Sequence, residues 1–396
     1  LQSCLLLQAF GAYVAILRDD KGWSKTELAG AAALHQVEAA VLGPILGWVI
    51  DRFGAQGVMR TGVVVFGIGF MLLAGIDTLL GFYGAFLVVA LGASLCGFFP
   101  LNVALIHWFE RKRARALSSV QLGFALGGIA VPAVAWSLAT FGWRPTAFAS
   151  GVIVIVVGLP LAFVMRRRPE DHGEHVDGVA IAPPAALDAT AVVATHEPRR
   201  DFTAREALRT PAFWLLALGH GFALFVVSAV NVHAITHMKE GLGYSLEGAS
   251  FVIVLQTVAQ LAGIATGWWI GDRYDKRMLS AICMFLHMAG LLSLTYATHP
   301  AMVIAFAIGH GWAWGLRGPF MQAIRADYFG RSAIGMILGL SFMIVVLGQI
   351  GGGMISGMLA DATGNYRLGF TVVALLAGIG SVFFLLAKKP PQPQRA

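Results

Sequence analysis

His310, Trp314 and Arg317 fall at i, i+4 and i+7 of one apolar segment, a single stripe if that segment is helical. Arg317 is the one Lys or Arg placed inside an apolar run rather than at its end. An arginine in a membrane helix costs at least ~2.5 kcal/mol on insertion scales, so its presence needs a reason. A guanidinium facing a cavity can hold a carboxylate through two parallel hydrogen bonds. The alternative is that it snorkels to the surface or pairs with a helix end. His310 can donate to the same anion, carry a proton near neutrality, or be a satisfied structural histidine. Glu38, with His35 one turn before it, is the only acid well inside an apolar run, either a proton-carrying carboxylate or a buried neutral one. His220, His233, His237 and His287 lack metal-ligand spacing, and Cys4, Cys96 and Cys283 sit in apolar runs with no CxxC. The expectation is no metal, no cofactor and no enzyme.

The elements that must position these groups are membrane helices. Hydrophobic residues make up 57% of the 396 positions and charged residues 12%, with a mean hydropathy of +0.74. A soluble chain carries roughly 25% charged residues, so this one could not cover its surface with polar groups. Ala116–Trp143, Thr146–Met165, Thr210–Met238, Gly248–Gly271, Ser332–Ala360 and Leu368–Ala387 contain no Asp, Glu, Lys or Arg. Each reaches the ~20 residues a spanning helix needs, and none alternates as a barrel strand would. The runs predict twelve spans, near 1–17, 27–50, 61–78, 82–107, 115–139, 146–165, 211–237, 247–270, 278–297, 300–323, 333–359 and 368–387. With the N-terminus cytoplasmic, 21 of the 28 Lys and Arg fall on that side and six on the other, so both termini are expected inside. The net charge of +7 is then topological, and nucleic acid is excluded as a partner. The chain already reads as helix at Leu1 without a signal peptide, so the start of the first helix is expected to precede it.

The spans divide into two halves, 1–165 and 210–388, joined by a polar segment at 166–209 expected to be a flexible cytoplasmic linker and followed by a tail at 389–396. The halves repeat. Gly22-Trp23-Ser24 matches Gly243-Tyr244-Ser245, Asp51-Arg52-Phe53 matches Asp272-Arg273-Tyr274, Trp108-Phe109 matches Tyr328-Phe329, and Gly142 matches Gly364. The offsets are 221, 221, 220 and 222, an internal duplication. Parallel repeats related by an axis along the membrane normal place a site between the halves and permit alternating access by rocking. Ser24-x-x-Glu27 has capping-box spacing.

Gly47-x-x-x-Asp51-Arg52-x-Gly54, its second copy at Asp272-Arg273 and the six-plus-six topology resemble the major facilitator superfamily over essentially the whole chain. The resemblance implies an all-α membrane fold with Asp51, Arg52, Asp272 and Arg273 as conformational residues. The basic residues usual after the glycine are replaced by Ala55 and Gln56. Gly123, Gly127, Gly128 and Pro132 loosely resemble the family's antiporter motif. Gly43/Gly47, Gly263/Gly267, Gly348/Gly352 and Gly353/Gly357 have the spacing of close helix packing.

The phrases Gly22-Trp23-Ser24-Lys25-Thr26-Glu27-Leu28, Arg168-Pro169-Glu170-Asp171-His172-Gly173, Arg325-Ala326-Asp327-Tyr328-Phe329-Gly330-Arg331 and Asp361-Ala362-Thr363-Gly364-Asn365-Tyr366-Arg367 resemble the bacterial monocarboxylate and oxalate:formate transporter group. That resemblance implies a small organic anion as substrate and a bacterial inner-membrane location. In the fold it implies, span ten lines the cavity, which makes Arg317, His310 and Trp314 substrate residues, with Tyr13, Asn102, Ser228 and Asn231 as hydrogen-bonding candidates and Glu38, His35 and His310 as proton carriers. Position 317 aligns with Gly97 of the first half, so the arginine breaks the duplication. The charges that the resembled transporters carry in spans one, eight and eleven have no counterpart inside those spans here; Arg18 only ends span one. One intramembrane arginine suits one negative charge. The expected protein is a monomeric, proton-coupled monocarboxylate transporter, with a proton-coupled drug or metabolite exporter as the alternative.

Overall fold

A computed structural model of the chain describes residues 1–179 and 200–393. A π-helical turn at Ser3–Gln8 leads into α1 (Phe10–Lys21), α2 (Lys25–Phe53), α3 (Ala55–Ala74), α4 (Leu79–Cys96), α5 (Phe98–Trp108), α6 (Arg113–Leu126), α7 (Val131–Phe141) and α8 (Trp143–Val164). The one-turn α9 (Ala204–Leu208) precedes α10 (Pro211–Leu242), α11 (Leu246–Ile270), α12 (Lys276–Thr295), α13 (Pro300–Phe329), α14 (Ile334–Thr363) and α15 (Arg367–Leu386). Helices α4 and α5 form one span broken at Gly97, and α6 and α7 form one interrupted by a 3-10 turn at Gly127–Ala130. Twelve spans result, as two six-helix repeats. Among the described residues, nine of them are long and apolar enough to cross a membrane by length and composition alone. The other three contain α1, or are α2 and α13, the spans that carry Glu38 and Arg317.

The duplicated phrases act as matched stop and start signals. Gly22 and Gly243 adopt left-handed φ of 68° and 72° and donate to Arg18 O and Met238 O, ending α1 and α10. Ser24 and Ser245 then cap α2 and α11, with Glu27 completing the expected capping box. On the same face, opposite the linker, Asp77 joins Lys21 and Arg144, and those two cations hold its carboxyl below the usual carboxylate range.

Each half has its own core, Phe66, Phe70, Phe82 and Phe86 in the first and Phe213, Phe306, Phe320 and Phe370 in the second. The halves meet through α2 with α14 and through α6 with α11 and α13. Glycine sets the α2–α14 distance. A Cβ at Gly47 would lie 2.2 Å from Gly335 O, closer than a real contact permits. Within the second half, a Cβ at Gly315 would lie 1.9 Å from Gln260 O on α11. Gly315→Ala is therefore expected to push α13 from α11 and cost about 1–3 kcal/mol. Thermal unfolding of the purified variant should show a lower midpoint, and an unchanged midpoint would contradict this packing.

The segment expected to be a flexible linker is tied down at both described ends; its middle, 180–199, lies outside the described residues. Asp177 accepts from the backbone N–H groups of Glu110, Arg111 and Lys112. Asp201 accepts from Arg331 N and Ser332 N, and Phe202 is buried against Phe329 with ring centroids 5.4 Å apart.

Span ten differs from expectation. The sequence reading ended it at 323, but α13 continues to Phe329, and Arg325 is 2% exposed. Arg325 Nη1 donates to Met321 O, and Nη2 donates to Leu216 O near the start of α10. Those carbonyls satisfy a charge that hydropathy assigns to the surface, so two arginines, not one, are buried in this helix.

Candidate functional site: a cavity between the halves

A cavity of about 310 Å³ lies between the repeats, with walls from α2, α4, α5, α6, α10, α13 and α14. Arg317 lines it, 1% exposed, and its Nε and Nη1 have no hydrogen-bond partner among the described residues. A buried charge is tolerated only when something pairs with it. Among the described residues that line this cavity there is no Asp or Glu. Trp314, Asn102 and His35 also line it, and the Oδ1 of Asn102 is buried with no hydrogen-bond partner among the described residues.

Several expected residues lie elsewhere. His310 is fully buried behind the cavity wall, where its Nδ1 meets His287 Nδ1 at 3.0 Å. The i, i+4, i+7 stripe is real, but α12 packs over its outer end and takes the histidine. Tyr13 is 3% exposed in the first half's core beside Phe70, because α1 turns that face toward α3 rather than the cavity. Ser228 and Asn231 continue the α10 stripe of His220 and Leu224 one and two turns further from the linker face, outside the lining. Ser228 packs instead beside Gly353 of α14, and Asn231 is exposed. Glu38 faces α4, where Ser94 Oγ donates to its Oε2 at 3.2 Å; Ser94 lines the cavity and Glu38 does not.

The structure adds residues that spacing did not reveal. Gln36, Gln121, Gln322 and Gln349 line the cavity from four different helices. Arg325 lines it near the linker face, but both of its terminal nitrogens are held by backbone carbonyls. Phe98, Phe99, Phe124 and Phe342 supply aromatic wall. The signal for Phe98 and Phe99 was Pro100, three residues after Gly97, which favours a helix start over a helix interior.

Toward the linker face the cavity is sealed. Leu46, Ile50, Val103, Ile106, Leu117, Ala323, Ile334 and Leu338 from both halves form one buried cluster there. Two carboxylates cap helices of the opposite half around this seal. Asp51, ending α2, accepts from Gly335 N and Met336 N at 2.8 Å, at the start of α14. Asp272, after α11, accepts from Ala114 N at 2.8 Å and Arg115 N at 3.0 Å, at the start of α6. A carboxylate at a helix N-terminus meets unsatisfied N–H groups and the positive end of the dipole. The neighbouring arginines do not bridge to acids among the described residues. Arg52 stacks on Trp48 and Phe53, and Arg273 on Trp269, with guanidinium-to-ring distances of 5.8, 5.8 and 5.2 Å. Arg113 pairs with Asp327 across the halves, and Lys276 joins the same carboxylate at 3.0 Å.

Comparison with known proteins fits this architecture. The Major Facilitator Superfamily profile matches residues 2–278 and 216–396. Monocarboxylate transporter 13 of Bos taurus is 24% identical over 364 residues, spanning 89% of this chain and 79% of that one. The MFS transporter asaE of Aspergillus flavus is 26% identical over 366 residues, spanning 88% and 74%. The crystal structure of the E. coli fucose:proton symporter superposes with a TM-score of 0.69 over 97% of each chain at 16% identity, a likeness of fold alone. The chain belongs to the major facilitator superfamily and is a multi-pass membrane transporter, not an enzyme.

Proposed function

We propose that this transporter moves a small organic monoanion, a monocarboxylate, by alternating access at the cavity between its halves. The observation that carries the reading is Arg317, buried in the cavity wall with Nε and Nη1 unpaired and no carboxylate in the lining. Arg325 keeps its charge but has both Nη groups engaged by Met321 O and Leu216 O, which leaves Arg317 the better placed of the two to hold a carboxylate through its Nη1 and Nε. One free guanidinium matches one carboxylate. A cationic drug would meet that uncompensated arginine, which disfavours the exporter reading.

Asp51 and Asp272 act in this reading as paired latches, each fastening one half's loop to the other half's helix. Arg52 and Arg273 brace the two loops from their aromatic seats. The linker face is cytoplasmic by its excess of Lys and Arg, both termini lie on it, and the protein works as a monomer in a bacterial inner membrane. The conformation is then closed inside, poised to take substrate from outside. Glu38, bonded to Ser94 of the cavity wall, carries the coupled proton, with His35 one turn away in the lining.

Uptake into proteoliposomes tests this. A radiolabelled monocarboxylate should accumulate under an acid-outside gradient, and lipophilic cations should not be moved. Glu38→Gln is expected to abolish gradient-driven accumulation while leaving anion exchange at zero gradient. Accumulation in the variant equal to wild type would remove Glu38 from coupling.

A further inference from the structure

We infer that the preferred substrate is an aryl carboxylate, a single carboxylate on a ring-sized apolar body, rather than an acid of lactate size. The inference rests on the anion reading of Arg317 and adds the occupant of the remaining space. Arg317 shares a level in the membrane with four phenylalanines. Phe98 and Phe99 on α5, Phe124 on α6, Phe342 on α14 and Arg317 on α13 all lie eight to twelve residues from the linker-face ends of their helices. At the helical rise that is about 12–18 Å, near the middle of a ~30 Å hydrocarbon core.

The four rings form two pairs. Phe98 and Phe124 meet edge to face with centroids 5.3 Å apart, and Phe99 and Phe342 are tilted at 6.5 Å. All four are only half-buried, so each pair presents ring surface to the cavity. The second pair bridges the halves, since Phe99 belongs to one repeat and Phe342 to the other. A substrate ring laid against it touches both moving bodies while its carboxylate reaches Arg317. Leu224, Val345 and Trp314 extend the same apolar wall.

Size supports the same occupant. The cavity of about 310 Å³ is many times the ~10–15 Å³ that one water needs on the same measure. An acid of a few heavy atoms would leave most of it wet and the phenylalanine faces uncovered. A phenyl ring on a short acid fills it and adds aromatic contacts beyond simple area burial. The glutamines leave one competing occupant, a polyhydroxylated acid, which the test includes.

Binding to the purified full chain should be measured calorimetrically for 3-phenylpropanoate, benzoate, acetate, lactate, gluconate and the uncharged benzamide. The aryl acids are expected to bind about tenfold or more tightly than acetate and lactate, and benzamide not detectably. Phe99→Leu and Phe342→Leu, which keep apolar volume and lose the ring, should shrink the ratio of aryl-acid to acetate affinity severalfold. Acetate or lactate binding as tightly as 3-phenylpropanoate, or gluconate binding tighter, would overturn the aryl inference and leave the anion reading standing. An aryl preference unchanged in both leucine variants would overturn the placement of the ring. Benzamide binding as tightly as benzoate would overturn the anion reading beneath it, and binding of no acid at all would overturn both.

Discussion

Arg317→Gln is expected to abolish carboxylate uptake. Glutamine keeps a hydrogen-bonding group at that position and removes the charge. The loss is large because Arg317 is buried and its charge has no acidic partner among the described lining residues. A charge-assisted pair in a buried setting costs about 2–5 kcal/mol when one partner is truncated, a factor of roughly thirty to several thousand in affinity. Folding should not suffer in proportion, because Arg317 Nε and Nη1 make no internal bond whose loss would strand a partner. Removing an unpaired buried charge is expected to raise the thermal midpoint slightly. The combination, lost binding with retained or improved stability, distinguishes a ligand-holding arginine from a structural one. Arg325 supplies the contrast within the same helix. Its substitution would remove two side-chain hydrogen bonds, one of which ties α13 to α10 through Leu216 O, and should lower stability first.

The second large effect is expected at the latches. Asp51→Asn keeps one carbonyl acceptor but loses the charge and the second acceptor at the start of α14, where Gly335 N and Met336 N both donate. Hydrogen bonds to a charged group are worth about 1.5–3 kcal/mol net, so the closed linker face should lose roughly ten- to a hundredfold in population. The pseudo-symmetric Asp272→Asn should do the same through α6. Thiol labelling of a cysteine placed at Leu338, inside the seal, reports it from the linker side. Labelling should accelerate in either variant and most in the double variant. Equal rates in all forms would mean the capping bonds do not hold this face closed.

Much of this was legible in the sequence because membrane insertion makes polarity expensive. Charge-free runs located the spans, and the offsets near 221 exposed the duplication before any contact was known. The matched Gly-x-Ser phrases proved to be a left-handed helix end followed by a serine cap in both halves. Asp51 and Asp272 stood out as a duplicated Asp-Arg pair with a conformational role, though which helices they cap depends on tertiary packing. Arg317 stood out through its cost alone.

What escaped was set by tertiary contacts. Arg325 sits in an Arg-Ala-Asp phrase that reads as a solvated helix end, and its burial depends on a carbonyl of α10 109 residues away. The cavity glutamines are neutral and come from four helices and, at Gln2, the N-terminal segment, so no local period marks them. His310 shared Arg317's stripe, but helical spacing cannot say where a stripe leaves the cavity and meets α12. Tyr13, Ser228 and Asn231 were placed by which spans line a cavity in such folds, without information about which face of each span does so.

The central claim is that a carboxylate completes Arg317 in the cavity between the halves. A structure determined with 3-phenylpropanoate bound tests it most directly. The prediction is carboxylate density within about 3 Å of the Arg317 guanidinium, with the ring between the Phe98–Phe124 and Phe99–Phe342 pairs. Ligand seated elsewhere, or Arg317 bonded to a protein carbonyl with the cavity empty at saturating ligand, would contradict it.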